Sequence, residues 1–152
     1  AAIANSAFSG TWDDAQWGVG GSAINTSGRN YVAYLWTSIP GYSAFGSYTG
    51  NGNANGPFIY TGFKPAFVLF KSSTSAQNWV IYDSTRSPFN PSQALLYPND
   101  PQKEFTSATG WDLDFVSNGF KWRSNPNDGN AAAPYIYAAF AENPFQSPAT
   151  AR

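Results

Sequence analysis

Asp112 and Asp114 are the first side chains in this sequence whose spacing suggests chemistry. Residues two apart on a strand share a face. Carboxyl groups about 5–5.5 Å apart suit a retaining glycosidase, and a wider pair suits an inverting one. Their neighbours suggest something else. The run from Trp111 to Phe115 is followed by Asn118-Gly119 and then by Phe120 to Arg123. Asn-Gly is the favoured two-residue hairpin turn. Counting outward from it sets Ser117 opposite Phe120, Val116 opposite Lys121, Phe115 opposite Trp122 and Asp114 opposite Arg123. Asp112 and Asp114 then share a face with Lys121 and Arg123, which reads as an exposed ion-pair face rather than an acid and a base. Trp111, Leu113, Phe115, Phe120 and Trp122 fall on the other face, and a one-residue slip would invert both.

The remaining acids are scattered. Asp13-Asp14, Asp83 and Asp128 lack the alternating spacing of a calcium loop. Asp83 with Arg86 reads as an ion pair fixing a local loop. There is no His and no Cys. That removes disulfides, thiolate nucleophiles, the usual zinc ligand sets and Ser-His-Asp catalysis. No cofactor, no metal and no enzymatic activity are expected. Carboxylates ordinarily titrate near 4 and Tyr and Lys near 10, so stability should change little between about pH 6 and pH 9.

The loop Gly46–Gly56 has the glycines of a phosphate loop but neither its Lys-Ser/Thr pair nor a following helix. It can be a connection in which Gly and Asn tolerate left-handed backbone. It can also be a sugar-gripping surface, with Tyr48, Asn51, Asn53 and Asn55 as the ligand-binding candidates, since amides and aromatic faces suit a polyhydroxylated ligand. Aromatics make up 18% of the chain. Phe63, Phe67, Phe70, Phe115, Phe120 and Trp122 are expected to fill the core. Trp12, Trp17, Tyr31, Tyr34 and Trp36 are candidates for an assembly interface. Before Lys64 the only charges are Asp13, Asp14 and Arg29, and interface cores are poor in Lys, Glu and Asp.

The elements that must position these residues are strands. Short β-rich runs alternate with Gly, Pro, Asn and Ser clusters, and almost nothing repeats at helical period. The expected strands are 31–39, 43–49, 58–61, 66–71, 79–83, 94–97, 111–117, 120–124 and 135–141. The fold class is all-β, an antiparallel β-sandwich or jelly-roll-like architecture. The chain has 152 residues, enough for one domain core. The expected division is residues 1–40, an arm or the final strand of a preceding repeat, and residues 41–152, the β-sandwich domain. The repeat idea comes from Tyr31–Pro40, which aligns without gaps on Tyr135–Pro144. Two amphipathic strands that each end in Pro would look the same. With no Met in the chain, Ala1 is expected to be a processed or internal position.

Eight Lys and Arg against nine Asp and Glu give a net charge of −1. This balance offers no footprint for a phosphate backbone, so no nucleic-acid partner is expected. No apolar run approaches the roughly 20 residues of a spanning helix, so no membrane insertion is expected.

Several stretches together resemble a domain that recurs near the C-terminal end of bacteriophage virion proteins, many of them tail fibre or other structural components. They are GYSAFGSYTGNG (41–52), GPFIYTGFKPAFVLFK (56–71), NWVIYDSTRSPFNP (78–91), DFVSNGFKWR (114–123) and YIYAAFAENPF (135–145), with NTSGRNYVAYLW (25–36) upstream. The resemblance covers most of 41–152 and brings no catalytic residues with it. It implies a virion surface location on the tail or the capsid exterior. The expected partners are other virion proteins, further copies in a homo-oligomer (a trimer is favoured) and a host surface glycan. The function it suggests is a tail-fibre or receptor-binding module. The alternatives are a capsid decoration (cement) protein, a polysaccharide depolymerase domain or a cellular adhesin.

Overall fold

The computed structural model describes residues 26–106 and 109–144. The chain divides into two compact units, Ala1–Trp36 and Thr37–Arg152. Of the first unit, residues 26–36 are described. Arg29 N–H closes a turn on the Thr26 carbonyl at 3.3 Å, with Gly28 at φ +77°. The Tyr34 and Trp36 rings stack with centroids 6.0 Å apart. The strand expected over 31–39 does not form; only Ile39 makes a bridge, to Ser43. A β-type sequence becomes a strand only when a neighbouring strand completes its ladder of backbone hydrogen bonds, and among the described residues no strand pairs with 31–38.

The second unit is all-β, with two antiparallel sheets and no helix among the described residues. Its strands are β1 (Ser43–Thr49), β2 (Phe58–Tyr60), β3 (Pro65–Ser72), β4 (Val80–Asp83), β5 (Leu95–Leu96), β6 (Leu113–Val116), β7 (Gly119–Trp122) and β8 (Pro134–Ala141). The larger sheet has the order β1-β8-β3-β4-β5 and the smaller β2-β7-β6. Both contribute to one core, Val68, Phe70, Val80 and Tyr82 from the first and Leu113, Phe115, Phe120 and Trp122 from the second. The arrangement is that of a β-sandwich.

Trp122 is the centre of this core. It is fully buried, with its ring edge-on to Phe70 at 5.2 Å and to Tyr82 at 6.0 Å. Buried aromatics with a polar tip need a partner for it. Trp122 Nε1–H donates to Tyr48 Oη at 3.2 Å, Tyr48 Oη–H donates to the Gly129 carbonyl at 2.7 Å, and Tyr82 Oη–H donates to the Trp111 carbonyl at 2.7 Å.

Two details differ from the sequence expectation. Phe67 is not core: it lies on the opposite face of β3 from Val68 and Phe70, only half-buried, with Phe140 at 5.9 Å. The run 66–70 is apolar throughout, so alternation could not set its phase. The β6–β7 hairpin pairs Val116 with Gly119, Phe115 with Phe120, Asp114 with Lys121 and Leu113 with Trp122. The tip is therefore Ser117-Asn118, and the register is displaced by two residues. A shift of two preserves both faces, so Leu113, Phe115, Phe120 and Trp122 are still buried together. Gly119 serves packing rather than the turn: a Cβ there would overlap the Ile59 carbonyl oxygen of neighbouring β2.

Candidate functional site

The strands run between two loop ends. At the first, β1 leads into the Asn-rich loop and β7 and β8 are joined by residues 123–133. Asn130, fully buried, ties these segments together. Its Oδ1 accepts from Asn51 N–H at 3.0 Å, and its Nδ2 donates to the Asn53 and Ser124 carbonyls at 2.9 and 2.8 Å. Gly52 N–H adds a bond to the Asn130 carbonyl at 2.8 Å.

Within the loop, Asn51 Oδ1 accepts from Asn53 N–H at 3.0 Å and Asn53 Oδ1 from Asn55 N–H at 2.9 Å, while Asn51 Nδ2 donates to the Asn55 carbonyl at 3.0 Å. These are side-chain turns of the kind Asn forms with backbone two residues on. Lys121 Nζ reaches Asn55 Oδ1 at 3.0 Å and the Gly56 carbonyl at 2.6 Å. The Tyr48 ring stacks on Tyr135 with centroids 5.0 Å apart, and burial raises its hydroxyl well above the usual phenol value. Asn51, Asn53 and Asn55 are thus exposed but engaged in shaping their own loop, and Tyr48 belongs with the core. Gly50, Gly56 and Gly129 are needed for close approach here, since a Cβ would overlap the Ala131 carbonyl, Trp122 and Asn130, and the Trp122 ring, respectively.

Beside this end lies Asp128, a buried carboxylate. Burial raises its pKa above the ordinary value, and the Tyr97 hydroxyl and Lys71 ammonium only partly oppose that. Burial also pushes Tyr97 up, to about 12, with the Asp128 carboxylate adding to it.

At the opposite end, the turn before β1, the β2–β3 loop, the β6–β7 tip and the chain after β8 surround a pocket of about 340 Å³. Gly41, Gly62 and Ala141 form part of its wall, and the side chains offered are Phe63, Lys64, Ser117, Glu142 and Asn143. Gly41 and Gly62 have φ +73° and +83°, left-handed backbone that Gly adopts readily. Lys64 Nζ lies 2.9 and 3.1 Å from the two Glu142 carboxylate oxygens. Glu142 N–H donates to the Lys64 carbonyl at 2.9 Å, so the backbone holds the two side by side. Among the described residues the Ser117 hydroxyl and the Asn143 amide have no hydrogen-bond partner.

The two carboxylates that opened the sequence reading each have their own partner. Asp114 pairs with Arg123 Nε at 3.5 Å, diagonally rather than directly across the hairpin. Asp112 accepts from Gln93 Nε2. The expected Asp83–Arg86 loop pair is present, and Arg86 also reaches Glu104. Burial raises Asp83, but the Arg86 backbone N–H, the Arg86 guanidinium and the Thr85 N–H together bring it below the ordinary carboxylate value. No group of three acidic side chains placed to hold a metal ion occurs among the described residues.

Of the interface candidates, Tyr31, Tyr34 and Trp36 are exposed, Tyr34 and Trp36 at 73% and 64%; Trp12 and Trp17 lie outside the described residues. Sequence reasoning missed both Asn130 and the Lys64–Glu142 pair. No local spacing points to either, because the loop that Asn130 ties down is 77 to 79 positions away and the partner of Lys64 is 78 away.

Residues 2–144 match a family described as "Domain of unknown function (DUF7483)". No curated protein and no solved structure matches the chain.

Proposed function

The chain belongs to the DUF7483 family of domains of unknown function, and we propose that it is a bacteriophage virion surface protein, a non-enzymatic tail-fibre or receptor-binding module that contacts a host surface glycan. The observation that carries the attachment reading is the pocket between the loops. It is open, and it combines a cation, a carboxylate, a hydroxyl and an amide with a buried aromatic. A concave site with a few convergent polar groups is the default place to look for ligand recognition. The virion context rests on the six sequence stretches that resemble phage virion domains. The non-enzymatic reading rests on Asp112 and Asp114, each engaged by its own partner.

A capsid decoration protein is the second reading, favoured by one observation. Tyr31, Val32, Tyr34, Leu35 and Trp36 are exposed in series, and a contiguous apolar patch suits burial against neighbours in a particle. A homo-oligomer, such as a trimer, joined to other virion proteins would use the same residues. Negative-stain imaging of phage particles with a labelled antibody separates these readings. Label at the tail tip is the expected result. Label spread over the head would favour decoration, and particles without label would overturn both.

A further inference from the structure

We propose that the Lys64–Glu142 pocket binds a neutral saccharide through two adjacent ring hydroxyls. The inference rests on the glycan-contact reading above and assigns it a site and a ligand class. Lys64 and Glu142 present a hydrogen-bond donor and an acceptor side by side, 2.9 Å apart. An ammonium has three N–H donors and a carboxylate about four acceptor positions, so their mutual contact leaves capacity on both. Two neighbouring hydroxyls of a sugar ring match this pair: one oxygen accepts from Lys64 Nζ while the next O–H donates to Glu142.

The charges in the pocket also choose the ligand. Lys64 and Glu142 already neutralise each other, so a charged sugar that pairs with one of them must compete with the other and meets its like charge close by. A neutral ring meets neither penalty. Ser117 and Asn143, which have no partner among the described residues and line the same space, add a donor and an acceptor each for further hydroxyls. Phe63, 8% exposed, supplies an apolar wall. The backbone bond from Glu142 N–H to the Lys64 carbonyl sets the two residues side by side beforehand, so only their side chains remain to be ordered on binding.

The test is titration of the isotopically labelled full chain, followed by NMR, with the methyl glycosides of glucose, galactose and mannose, and with glucuronate and glucosamine as charged controls. The expected result is that at least one neutral glycoside shifts the resonances of Lys64, Ser117, Glu142 and Asn143. Lys64→Ala and Glu142→Ala should each weaken it by about tenfold or more, with the charged sugars binding more weakly than the neutral one. Unmoved pocket resonances at saturating neutral glycoside, or undiminished binding in both variants, would overturn the proposal. Adsorption of the protein to host cells is measured in parallel. If wild type and both variants adsorb equally, the attachment reading stands and this pocket is not its site. If the glycoside titrates the pocket but no host cell is bound, the pocket proposal stands and the attachment reading fails.

Discussion

The two loop ends of the sandwich contain similar polar residues and use them in opposite ways. At the Asn-rich end, Asn51, Asn53 and Asn55 bond one another's backbone within the loop, and Asn130 bonds that loop from a segment far away in sequence. At the pocket end, Ser117 and Asn143 bond nothing among the described residues, and Lys64 and Glu142 bond only each other and their own backbone neighbour. Burial explains the difference at Asn130, while the exposed Asn51, Asn53 and Asn55 are held to one another by side-chain bonds to backbone a few residues on. Asn130 is out of contact with water, where each unmade hydrogen bond is costly. The pocket groups are reached by water and can wait for a ligand. Polar composition alone therefore does not locate a binding surface; what matters is which polar groups remain unsatisfied after folding.

The contrast breaks most sharply at Asn130. Asn130→Ala strands Asn51 N–H and the carbonyls of Asn53 and Ser124 at once, and should lower stability by about 3 kcal/mol or more. A urea midpoint equal to wild type would mean that this end contributes nothing to the fold.

Gly119→Ala forces a methyl group into the Ile59 carbonyl and should cost about 1–3 kcal/mol. A loss of only a few tenths of a kcal/mol in chemical denaturation would restore Gly119 to a turn role.

Asp128 and Asp83 divide by sign. Asp128 has a folded pKa above its unfolded value, so its favourable contribution exists in acid and is lost as pH rises through the folded pKa. Asp83 has a folded pKa below its unfolded value, so its contribution exists above that value and is lost as pH falls through the folded pKa. At pH 7 Asp128→Asn should stabilise and Asp83→Asn destabilise. The Asp128 difference should shrink as pH falls through its raised folded pKa and be largely gone by about pH 4, whereas the Asp83 difference should shrink only below about pH 4, where unfolded carboxylates protonate. Thermal melts across that range would show it; a shift of the same sign in both variants would contradict it.

The smallest effect belongs to the open end. Lys64→Ala and Glu142→Ala remove an exposed ion pair and should change stability by less than about 1 kcal/mol. A larger drop in melting temperature would make the pair a structural clamp.

The sandwich was legible where alternation and turn chemistry agreed. β1 occupies the expected span, and the two faces of the β6–β7 hairpin hold the expected residues. The hairpin register was not legible, because Asn118-Gly119 carries a turn signal while Gly119 is required by the close approach of β2. Phe67 was misplaced for want of alternation, and 31–38 has the sequence of a strand but pairs with no strand among the described residues. The candidate site was scarcely legible. Asn130 sits in an ordinary turn-like string, and the Lys64–Glu142 pair exists only because β3 and β8 are neighbours in the sheet.

That neighbour relation also dictates an order of events. β8 is the last described strand, yet it lies between β1 and β3. During synthesis these two emerge early and must wait, with their facing edges unpaired, until Pro134–Ala141 leaves the ribosome. Closure of the large sheet is then a late insertion between distant segments, the kind of non-local step that slows folding. In the interval the unpaired edges are exposed to other nascent chains. A chain cut before residue 134 would lack the strand that joins β1 to β3, however complete its other strands.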